Sequence, residues 1–203
     1  MRVFISFQEV VHIRALEQRI LTEGRVLPGE VLKVGSFLNQ QIDTKLLKEM
    51  GDEVARLFSQ SNVTKVLTIE SSGIALAYAA AVSLGVPMVF AKKHKSSNLA
   101  GNILTSKVFS YTHQQTYDIM VSGDYIKNDD VILIVDDFLA MGNALNGLID
   151  IVGQGGAKLA GCAIAIEKGF QGGGDALRAK GIRVESLAII DKMTDDSLEF
   201  RAQ

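Results

Sequence analysis

The spacing of apolar residues predicts helices in the first part of the chain. Apolar positions recur at helical intervals across Arg14–Thr22, and Gly24 just after this segment is a typical helix stop. A second apolar stripe begins behind Asp43, whose side chain is suited to cap a helix. The segment Val31–Asp43 between these helices mixes apolar residues with amides. We interpret it as a hood over a ligand, and ordinary subdomain packing explains the pattern equally well.

After the second helix, short apolar runs alternate with helical segments. Strands are predicted at Lys65–Ile69, Pro87–Ala91, Val131–Val135, Leu159–Ile166 and Val184–Ile190, and helices at Gly73–Ser83, Ala144–Val152 and Asp175–Ala179. A β-hairpin or arm is predicted from Ile103–Tyr111 and Tyr117–Ser122, joined around His113–Gln115. Because strands separated by helices need right-handed crossovers, we expect an α/β fold with a doubly wound, mainly parallel sheet. Ligands of such sheets bind outside the carboxyl ends of the strands.

Length and composition fit one globular domain with a local ligand site. The 203 residues suffice for a single α/β domain, and the net charge of −2 gives no general attraction to nucleic acids or membranes. Residues 1–13 lack a signal-peptide pattern, and no apolar run has the roughly 18 residues that cross a bilayer. Cys162 lies in an apolar run, where we expect burial rather than catalysis. These features predict a soluble protein of the cytoplasm.

The most informative segment is Val131–Asn146, which has the sequence VILIVDDFLAMGNALN. A buried parallel strand is predicted to run into Asp136 and Asp137, after which a small glycine-containing loop opens a helix. Such a loop directs backbone N–H groups at an anion, which predicts a phosphate site. The two carboxylates are suited to ribose hydroxyls and to a hard cation such as Mg²⁺. A buried strand with an acidic cap is the alternative, whereas the Walker and dinucleotide-binding motifs are missing.

Polar residues also follow the strands predicted on either side of this one. The loop after Lys65–Ile69 contains small residues suited to wrap a diphosphate, namely Ser71, Ser72 and Gly73, and a simple helix cap is the alternative. The strand Pro87–Ala91 leads into a cluster of cations, namely Lys92, Lys93 and Lys95, for which a solvated charge run is the alternative. The polar segment Ser96–Gly101 after it is expected to be mobile.

The strand predicted at Leu159–Ile166 leads into Lys168 and Phe170. The Lys168 ammonium is suited to donate to an exocyclic oxygen of a base, and the Phe170 ring offers a face for stacking. An ion pair of Lys168 with Glu167 or a neighbouring acid is the alternative.

The segment Val131–Asn146 resembles the phosphoribosyl-diphosphate signature of the type I phosphoribosyltransferases. In that family a hydrophobic strand, two acidic residues and a loop rich in threonine and glycine bind the ribose 5-phosphate. Here the loop is Leu139–Ala144, in which both threonines of the family are missing and Asn143 replaces a glycine. Phosphate binding is therefore expected to depend more on backbone N–H groups.

From about Ala15 to Phe200 the order of the motifs resembles the xanthine phosphoribosyltransferases of bacteria. The motifs are the hood, the TIESSGI loop, the KKHK cluster, the DDFLA signature and the IEKGF strand end. The resemblance implies transfer of the 5-phosphoribosyl group to xanthine in purine salvage, with Mg²⁺ as cofactor and a homodimer as the assembly. It places xanthine-contacting positions at Leu32, Asn39 and Lys168, and the phosphate loop at Ala140, Met141, Gly142, Asn143 and Ala144.

The resemblance also implies the organisation of the chain and the roles of its charged residues. The type I phosphoribosyltransferase fold, with a flexible β-arm, would span residues 14–203 after an N-terminal extension of residues 1–13. The hood would comprise residues 26–43, approximately, with the C-terminal region. Mg²⁺, the Ser71–Gly73 amides and three lysines, Lys92, Lys93 and Lys95, are expected to stabilise the departing diphosphate. Asp136 and Asp137 are expected to hold ribose hydroxyls and the metal, and one of them to accept the purine proton.

Two other functions remain open from the sequence. Hypoxanthine and guanine share with xanthine the carbonyl that Lys168 is suited to bind, whereas adenine lacks it. The oxygen at position 2 distinguishes xanthine, and Asn39 in the hood is the candidate donor to it. A ligand-sensing transcription regulator on the same fold would ordinarily need a DNA-reading module and a basic surface, and the sequence indicates neither.

Overall fold

The computed structural model describes residues 9–93, 101–110 and 115–201, except for the side chains of residues 9–13 and 110. The helices in these ranges are α1 (Glu9–Glu23), α2 (Thr44–Leu57), α3 (Gly73–Leu84), α4 (Asn143–Gln154) and α5 (Gly173–Ala179). The strands are β1 (Arg25–Leu27), β2 (Val31–Lys33), β3 (Lys65–Ile69), β4 (Met88–Ala91), β5 (Ile103–Ser110), β6 (Gln115–Ser122), β7 (Val131–Leu139), β8 (Lys158–Lys168), β9 (Val184–Met193) and β10 (Leu198–Phe200).

Six of these strands form the central sheet, in the order β10-β9-β8-β7-β3-β4. All neighbouring pairs are parallel except the edge pair of β10 with β9, which is antiparallel. If the parallel strands β3, β4, β7, β8 and β9 are numbered 1 to 5 along the chain, their order across the sheet is 2-1-3-4-5. The strand order therefore reverses between β3 and β7. The predicted doubly wound, mainly parallel sheet is confirmed. The sequence pattern did not indicate β10, because a strand of three residues is too short to show a period.

Helices cover both faces of the sheet, and β7 contributes side chains to each. Leu133 and Val135 pack in a core with residues of α1, α2 and α3, whereas Ile132 and Ile134 pack in a second core with α4, α5 and the β5–β6 hairpin. This alternation explains why β7 has a continuous apolar sequence. Cys162 is buried in the second core, and burial raises the pKa of its thiol to about 12.

The ends of α1 and α2 follow from local chemistry. The Asp43 side chain accepts hydrogen bonds from two first-turn amides of α2, as predicted. α1 ends at Glu23, just before Gly24, and begins at Glu9 rather than at Arg14. The helix extends towards the N-terminus because residues 9–13 contain no glycine or proline. Part of the predicted N-terminal extension is therefore helical, and residues 1–8 lie outside the described residues.

The predicted hood consists of the antiparallel pair β1–β2 and a helical turn at Gly35–Asn39. Its apolar side chains are buried in the core shared with α1 and α2, namely Leu32, Val34, Phe37 and Leu38. The hood is therefore anchored on the main domain.

β7 and β8 extend further than predicted, to Leu139 and Lys168. Asp136 pairs with Ile164 and Leu139 with Glu167, so the ladder continues through the aspartates. Asp136 and Asp137 consequently lie within β7, and the predicted end of the strand at Val135 was wrong. The predicted hairpin is present as β5–β6, and residues 111–114 lie outside the described residues. In the part of the chain that is described, no helix combines the length and apolar character needed to cross a membrane.

Candidate active site

The candidate site lies at the carboxyl end of the sheet, where the strand order reverses. α3 leaves β3 for the face that carries α2, and α4 leaves β7 for the face that carries the hairpin. A crevice forms between connections that diverge in this way. β4 and β8 run parallel to β3 and β7, so their carboxyl ends reach the same edge. The four polar clusters predicted from sequence therefore meet at one rim.

Asp136 and Asp137 lie at the base of this rim and are only 6% and 5% exposed. Asp136 Oδ1 accepts a hydrogen bond from the Asp137 backbone N–H at 3.0 Å. The oxygens of Asp137 accept hydrogen bonds from Ser72 Oγ at 2.9 Å and from Asn39 Nδ2 at 3.3 Å. Asp137 therefore connects the loop after β3 with the hood.

Gly73 makes room for the Asp136 carboxyl. A Cβ atom at Gly73 would lie 2.4 Å from Asp136 Oδ1 and 2.4 Å from Thr68 Oγ1, which is too close for any side chain. Burial, and after it the negative charge of Asp137, raises the pKa of the Asp136 carboxyl well above its usual range. Asp136 therefore keeps its proton to a higher pH than a free aspartate, as is common for carboxyls in functional sites.

The loop after β3 is tied to the segment after β4. Glu70 Oε1 accepts a hydrogen bond from the Lys93 backbone N–H at 2.7 Å, and the Glu70 N–H donates to the Ala91 carbonyl at 3.0 Å. The structure thus brings the predicted loop Ser71–Gly73 beside the aspartates. The Ser72 hydroxyl donates to Asp137, so it supports a carboxylate in addition to its predicted place near a diphosphate.

Lys92 and Lys93 lie at the same rim, whereas Lys95 and the rest of segment 94–100 lie outside the described residues. The backbone of Lys92 exchanges two hydrogen bonds of 2.9 Å with Met120 of the hairpin. Lys93 Nζ lies 5.5 Å from the centroid of the Tyr117 ring. The positive charge of Lys93 also partly offsets the effect of burial on the pKa of Asp136.

The predicted phosphate loop leads into the N-terminus of α4. Gly142 has a φ of +86°, and α4 starts at the next residue. The first amides of a helix have no partner within it, so the amides of Asn143, Ala144 and Leu145 are available to an anion. The Asn143 side chain instead donates to the Phe109 carbonyl of the hairpin at 3.0 Å. Phosphate binding through backbone N–H groups, as predicted, suits this geometry.

A cavity of about 510 Å³ extends from the phosphate loop to the turn between β1 and β2. Its phosphate end is lined by Ala140–Leu145, and its other end by Gly29, Glu30, Val31, Phe138, Lys168 and Gln171. Residues of the hairpin, among them Tyr117, close one side. The cavity therefore has one end at the N-terminus of α4 and another end with an aromatic ring and an ammonium group.

Lys168 reaches this second end through a contact that sequence did not indicate. Its Nζ donates to the backbone carbonyl of Glu30 at 2.6 Å. Burial lowers the pKa of the Lys168 ammonium, and the negative charge of Glu30 acts in the opposite direction. The alternative ion pair with Glu167 is not formed, because both oxygens of the fully buried Glu167 are held by the Arg178 guanidinium at 2.9 and 2.7 Å.

The other residues predicted to contact xanthine do not line the same cavity as Lys168. Leu32 and Asn39 line a second cavity of about 740 Å³ on the hood, and Asn39 connects this side with Asp137. Phe170 packs against the first core and is not among the residues lining the first cavity, whereas Phe138 is. Stacking on Phe170 stays a prediction. Phe138 lies in the DDFLA signature, but no role was predicted for it. No motif had distinguished Glu30 or Gln171, because single residues in turns carry no period.

Comparisons with known proteins agree with this geometry. The sequence model of one protein family, the phosphoribosyl transferase domain, matches residues 42–193 of this chain. A xanthine phosphoribosyltransferase of Oceanobacillus iheyensis is 50% identical over 93% of this chain and 97% of its own length. One of Ruminiclostridium cellulolyticum is 54% identical over 91% of this chain and 97% of its own length.

Solved structures are similar in fold. An APRTase from Giardia lamblia, complexed with 9-deazaadenine, has a TM-score of 0.74 at 24% identity, covering 88% of this chain and 98% of that protein. The adenine phosphoribosyltransferase of Rhodothermus marinus has a TM-score of 0.72 at 24% identity, covering 89% and 99%. At this level of identity, the similarity concerns the fold alone.

Proposed function

The chain belongs to the phosphoribosyltransferase family, and on that premise we propose that it is a xanthine phosphoribosyltransferase of purine salvage. It transfers the 5-phosphoribosyl group of 5-phosphoribosyl 1-diphosphate to xanthine, which forms xanthosine 5′-monophosphate and diphosphate. The observation that carries this proposal is the cavity that joins the amides at the start of α4 to the Lys168 ammonium. A single cavity with these two ends suits a phosphorylated sugar and a planar oxopurine.

The sugar diphosphate is held at both of its ends. The amides of Asn143, Ala144 and Leu145 bind the 5-phosphate, assisted by the positive end of the α4 dipole. The loop Ser71–Gly73 and the lysines after β4 face the diphosphate. These groups stabilise the negative charge that develops on the leaving oxygens, a contribution worth several kcal/mol in order of magnitude in a dry site.

The reaction exchanges one bond at the sugar for another. The purine nitrogen bonds to C1 of the ribose while the C1–O bond to diphosphate breaks, and the diphosphate leaves with the bonding electrons. Asp136 and Asp137 hold the ribose hydroxyls while the ring gains oxocarbenium character. We assign acceptance of the purine proton to Asp137, because Asn39 connects Asp137 with the hood.

The base end selects a 6-oxopurine. Lys168 Nζ donates to the oxygen at position 6, which adenine lacks. Asn39 is our candidate donor to the oxygen at position 2, which distinguishes xanthine from hypoxanthine and guanine. A donor that the bound base encloses discriminates strongly against a base that leaves it unpaired.

Mg²⁺ fits the donor set at the aspartates. Asp136 and Asp137 offer hard oxygen donors, and the described residues contain no group of three or more His, Cys, Asp or Glu side chains able to hold a metal ion. Mg²⁺ commonly takes one or two carboxylates and completes its shell with substrate phosphates and water. When bound, it would neutralise charge on the departing diphosphate.

We further propose a homodimer and a location in the cytoplasm. Tyr78 and Val82 are 62% and 61% exposed one turn apart on α3, and Phe90 on the adjacent edge strand β4 is 40% exposed. Exposed apolar side chains grouped in this way are typical of an interaction surface. A second copy of the chain is the expected partner, since most oligomers of one chain are symmetric dimers.

A base-competition assay tests the proposed function. The protein is incubated with Mg²⁺, 5-phosphoribosyl 1-diphosphate and each of xanthine, guanine, hypoxanthine and adenine, and the nucleotides formed are identified by mass. We expect the highest kcat/KM with xanthine and no product with adenine. Lys168→Ala should raise KM for xanthine more than KM for the sugar diphosphate. Preference for another base, or an equal loss for both substrates in the variant, would contradict the proposal.

A further inference from the structure

Glu30 contacts two residues at the base end of the cavity. Its backbone carbonyl accepts the hydrogen bond from Lys168 Nζ at 2.6 Å. Its carboxylate oxygen Oε2 accepts a hydrogen bond from Gln171 Nε2 at 2.7 Å. Gln171 follows Lys168 by one helical turn, so one short segment holds both the backbone and the side chain of Glu30.

The backbone of Glu30 adopts a conformation that a glutamate rarely takes. Its φ is +61°, in the left-handed region, and the preceding Gly29 has a φ of +82°. A non-glycine residue there is disfavoured unless surrounding contacts hold it. The direction of the Glu30 carbonyl depends on this conformation. Pairing of Leu27 with Val31 closes this turn, and the side-chain bond to Gln171 adds a restraint on Glu30.

We propose that Gln171 and Glu30 are positioning residues for base recognition, in which the Gln171 side chain holds Glu30 so that its carbonyl aims Lys168 at the 6-oxo group. The proposal rests on the proposed function for the identity of the base. An ammonium has three donors, so the bond to Glu30 leaves others for the ligand. A lysine side chain is otherwise flexible, and restraining it before binding removes part of the entropic cost of binding.

The charges near Lys168 suit this role. Burial alone disfavours its ammonium form, which is the form that donates to a carbonyl oxygen. The Glu30 carboxylate opposes this effect while Gln171 keeps it at the turn. Glu167, the nearest acid in sequence, takes no part because Arg178 holds both of its oxygens.

The test compares Gln171→Ala with a matched control, Gln154→Ala. The Gln154 side chain accepts a hydrogen bond from the Thr105 backbone N–H and donates one to the Thr105 carbonyl. This contact lies far from the base end, so Gln154→Ala loosens packing without affecting Lys168. For Gln171→Ala we expect KM for xanthine to rise about three- to tenfold, which corresponds to the loss of one hydrogen bond. The kcat and the KM for the sugar diphosphate should stay within about twofold of the wild-type values. Gln154→Ala should leave KM for xanthine unchanged.

A double-mutant cycle shows whether Gln171 acts through Lys168. The double variant Lys168→Ala/Gln171→Ala should be no weaker for xanthine than Lys168→Ala alone. In a Glu30→Gly background, Gln171→Ala should add nothing, because glycine adopts a positive φ without a restraint.

Three results would overturn the inference: an unchanged KM for xanthine in Gln171→Ala, an equal rise in KM for both substrates, or additive effects in the cycle with Lys168→Ala. The nucleotide that the wild type forms distinguishes failure of this inference from failure of the proposed function. If the wild type forms xanthosine 5′-monophosphate and the cycle is additive, only the inference is wrong. If the wild type prefers hypoxanthine or guanine, the proposed function is wrong, and the same cycle with that base tests the positioning pair.

Discussion

Asp136 and Asp137 are neighbours in the chain with different surroundings. Asp136 faces the space that Gly73 leaves open and the hydroxyl of Thr68. Asp137 accepts hydrogen bonds from Ser72 and Asn39 at the edge of the crevice. Two carboxyls of one motif therefore differ in surroundings, and burial with the neighbouring charge of Asp137 raises the pKa of Asp136.

Asp136→Asn should stabilise the protein increasingly as pH rises. The folded state holds the Asp136 proton more tightly than the unfolded chain, so the wild type loses stability as pH rises from the unfolded value of about 3.9 towards the raised folded pKa. Asparagine does not titrate and keeps an oxygen for the Asp137 N–H. We expect little difference at pH 4 and a gain in stability that grows as pH rises towards the raised pKa of Asp136.

Thermal unfolding of both proteins at several pH values measures this effect. Turnover should fall in the same variant, since active sites often trade stability for function. A stability difference that does not change with pH would contradict a raised pKa for Asp136.

Asp137→Asn should lower kcat about a hundredfold or more, because the variant lacks the proposed proton acceptor. The residue lies in β7, so some loss of stability is also expected where the new amide faces Asn39. Ser72→Ala removes one support of Asp137 and keeps its carboxylate, so its kcat should fall far less. Steady-state kinetics with saturating substrates measures kcat of both variants. A wild-type kcat for Asp137→Asn would exclude its proposed role as proton acceptor.

At the scale of elements, α2 and α3 pack closely where Gly51 meets Ala79. A Cβ atom at Gly51 would lie 2.6 Å from the Ala79 carbonyl carbon, a backbone atom that cannot move alone. In α4, by contrast, a Cβ at Gly153 would contact nothing within 4 Å. The same substitution therefore has opposite consequences in two helices.

Gly51→Ala should destabilise the protein by about 1 to 3 kcal/mol, because α2 and α3 must separate. Gly153→Ala should stabilise it by up to about 1 kcal/mol, because alanine loses less backbone entropy in a helix. Urea unfolding monitored by circular dichroism measures both. Equal effects of the two substitutions would show that the close approach of Gly51 and Ala79 is unimportant.

At the scale of the whole molecule, the two ends of the sheet serve different purposes. Asp130, before β7, binds Lys65 Nζ at 2.5 Å at the amino end of the strands and holds two chain segments together. The carboxyl end carries the candidate site. The exposed apolar patch of Tyr78, Val82 and Phe90 belongs to neither and lies on α3 and the edge strand β4.

Val82→Glu should convert the proposed dimer to a monomer, because a charge buried without a partner is costly at an apolar interface. Leu21→Glu is the matched control, since Leu21 is 59% exposed on α1, away from the patch. Sedimentation velocity measures the mass of each variant. A wild-type monomer, or dissociation by both substitutions alike, would contradict a dimer through this face.

Long elements with a strong period could be predicted, and short or irregular ones could not. The apolar run ahead of Asp136 and the cap at Asp43 are local signals, and both are confirmed. β1, β2 and β10 have three residues each and depend on pairing with distant segments. The end of β7 could not be found from sequence because its pairing with β8 carries the strand past two acidic residues.

The candidate site follows the same division. Sequence placed Lys168 at a strand end, whereas its contact with Glu30 joins residues 138 positions apart, which no local pattern reveals. The links of Asp137 with Ser72 and Asn39 span 65 and 98 positions of the chain.

By itself the sequence determined the alternation of strands and helices, the loop that opens α4 and the types of residue at each strand end, because periodicity and turn chemistry are local properties. Only the tertiary structure decided which donors reach each carboxylate, which aromatic rings line the cavity and what holds Lys168. Those outcomes depend on packing between segments that are far apart in the chain. Burial, which decides that the pKa of Asp136 is raised, likewise exists only once the strands and helices have packed together.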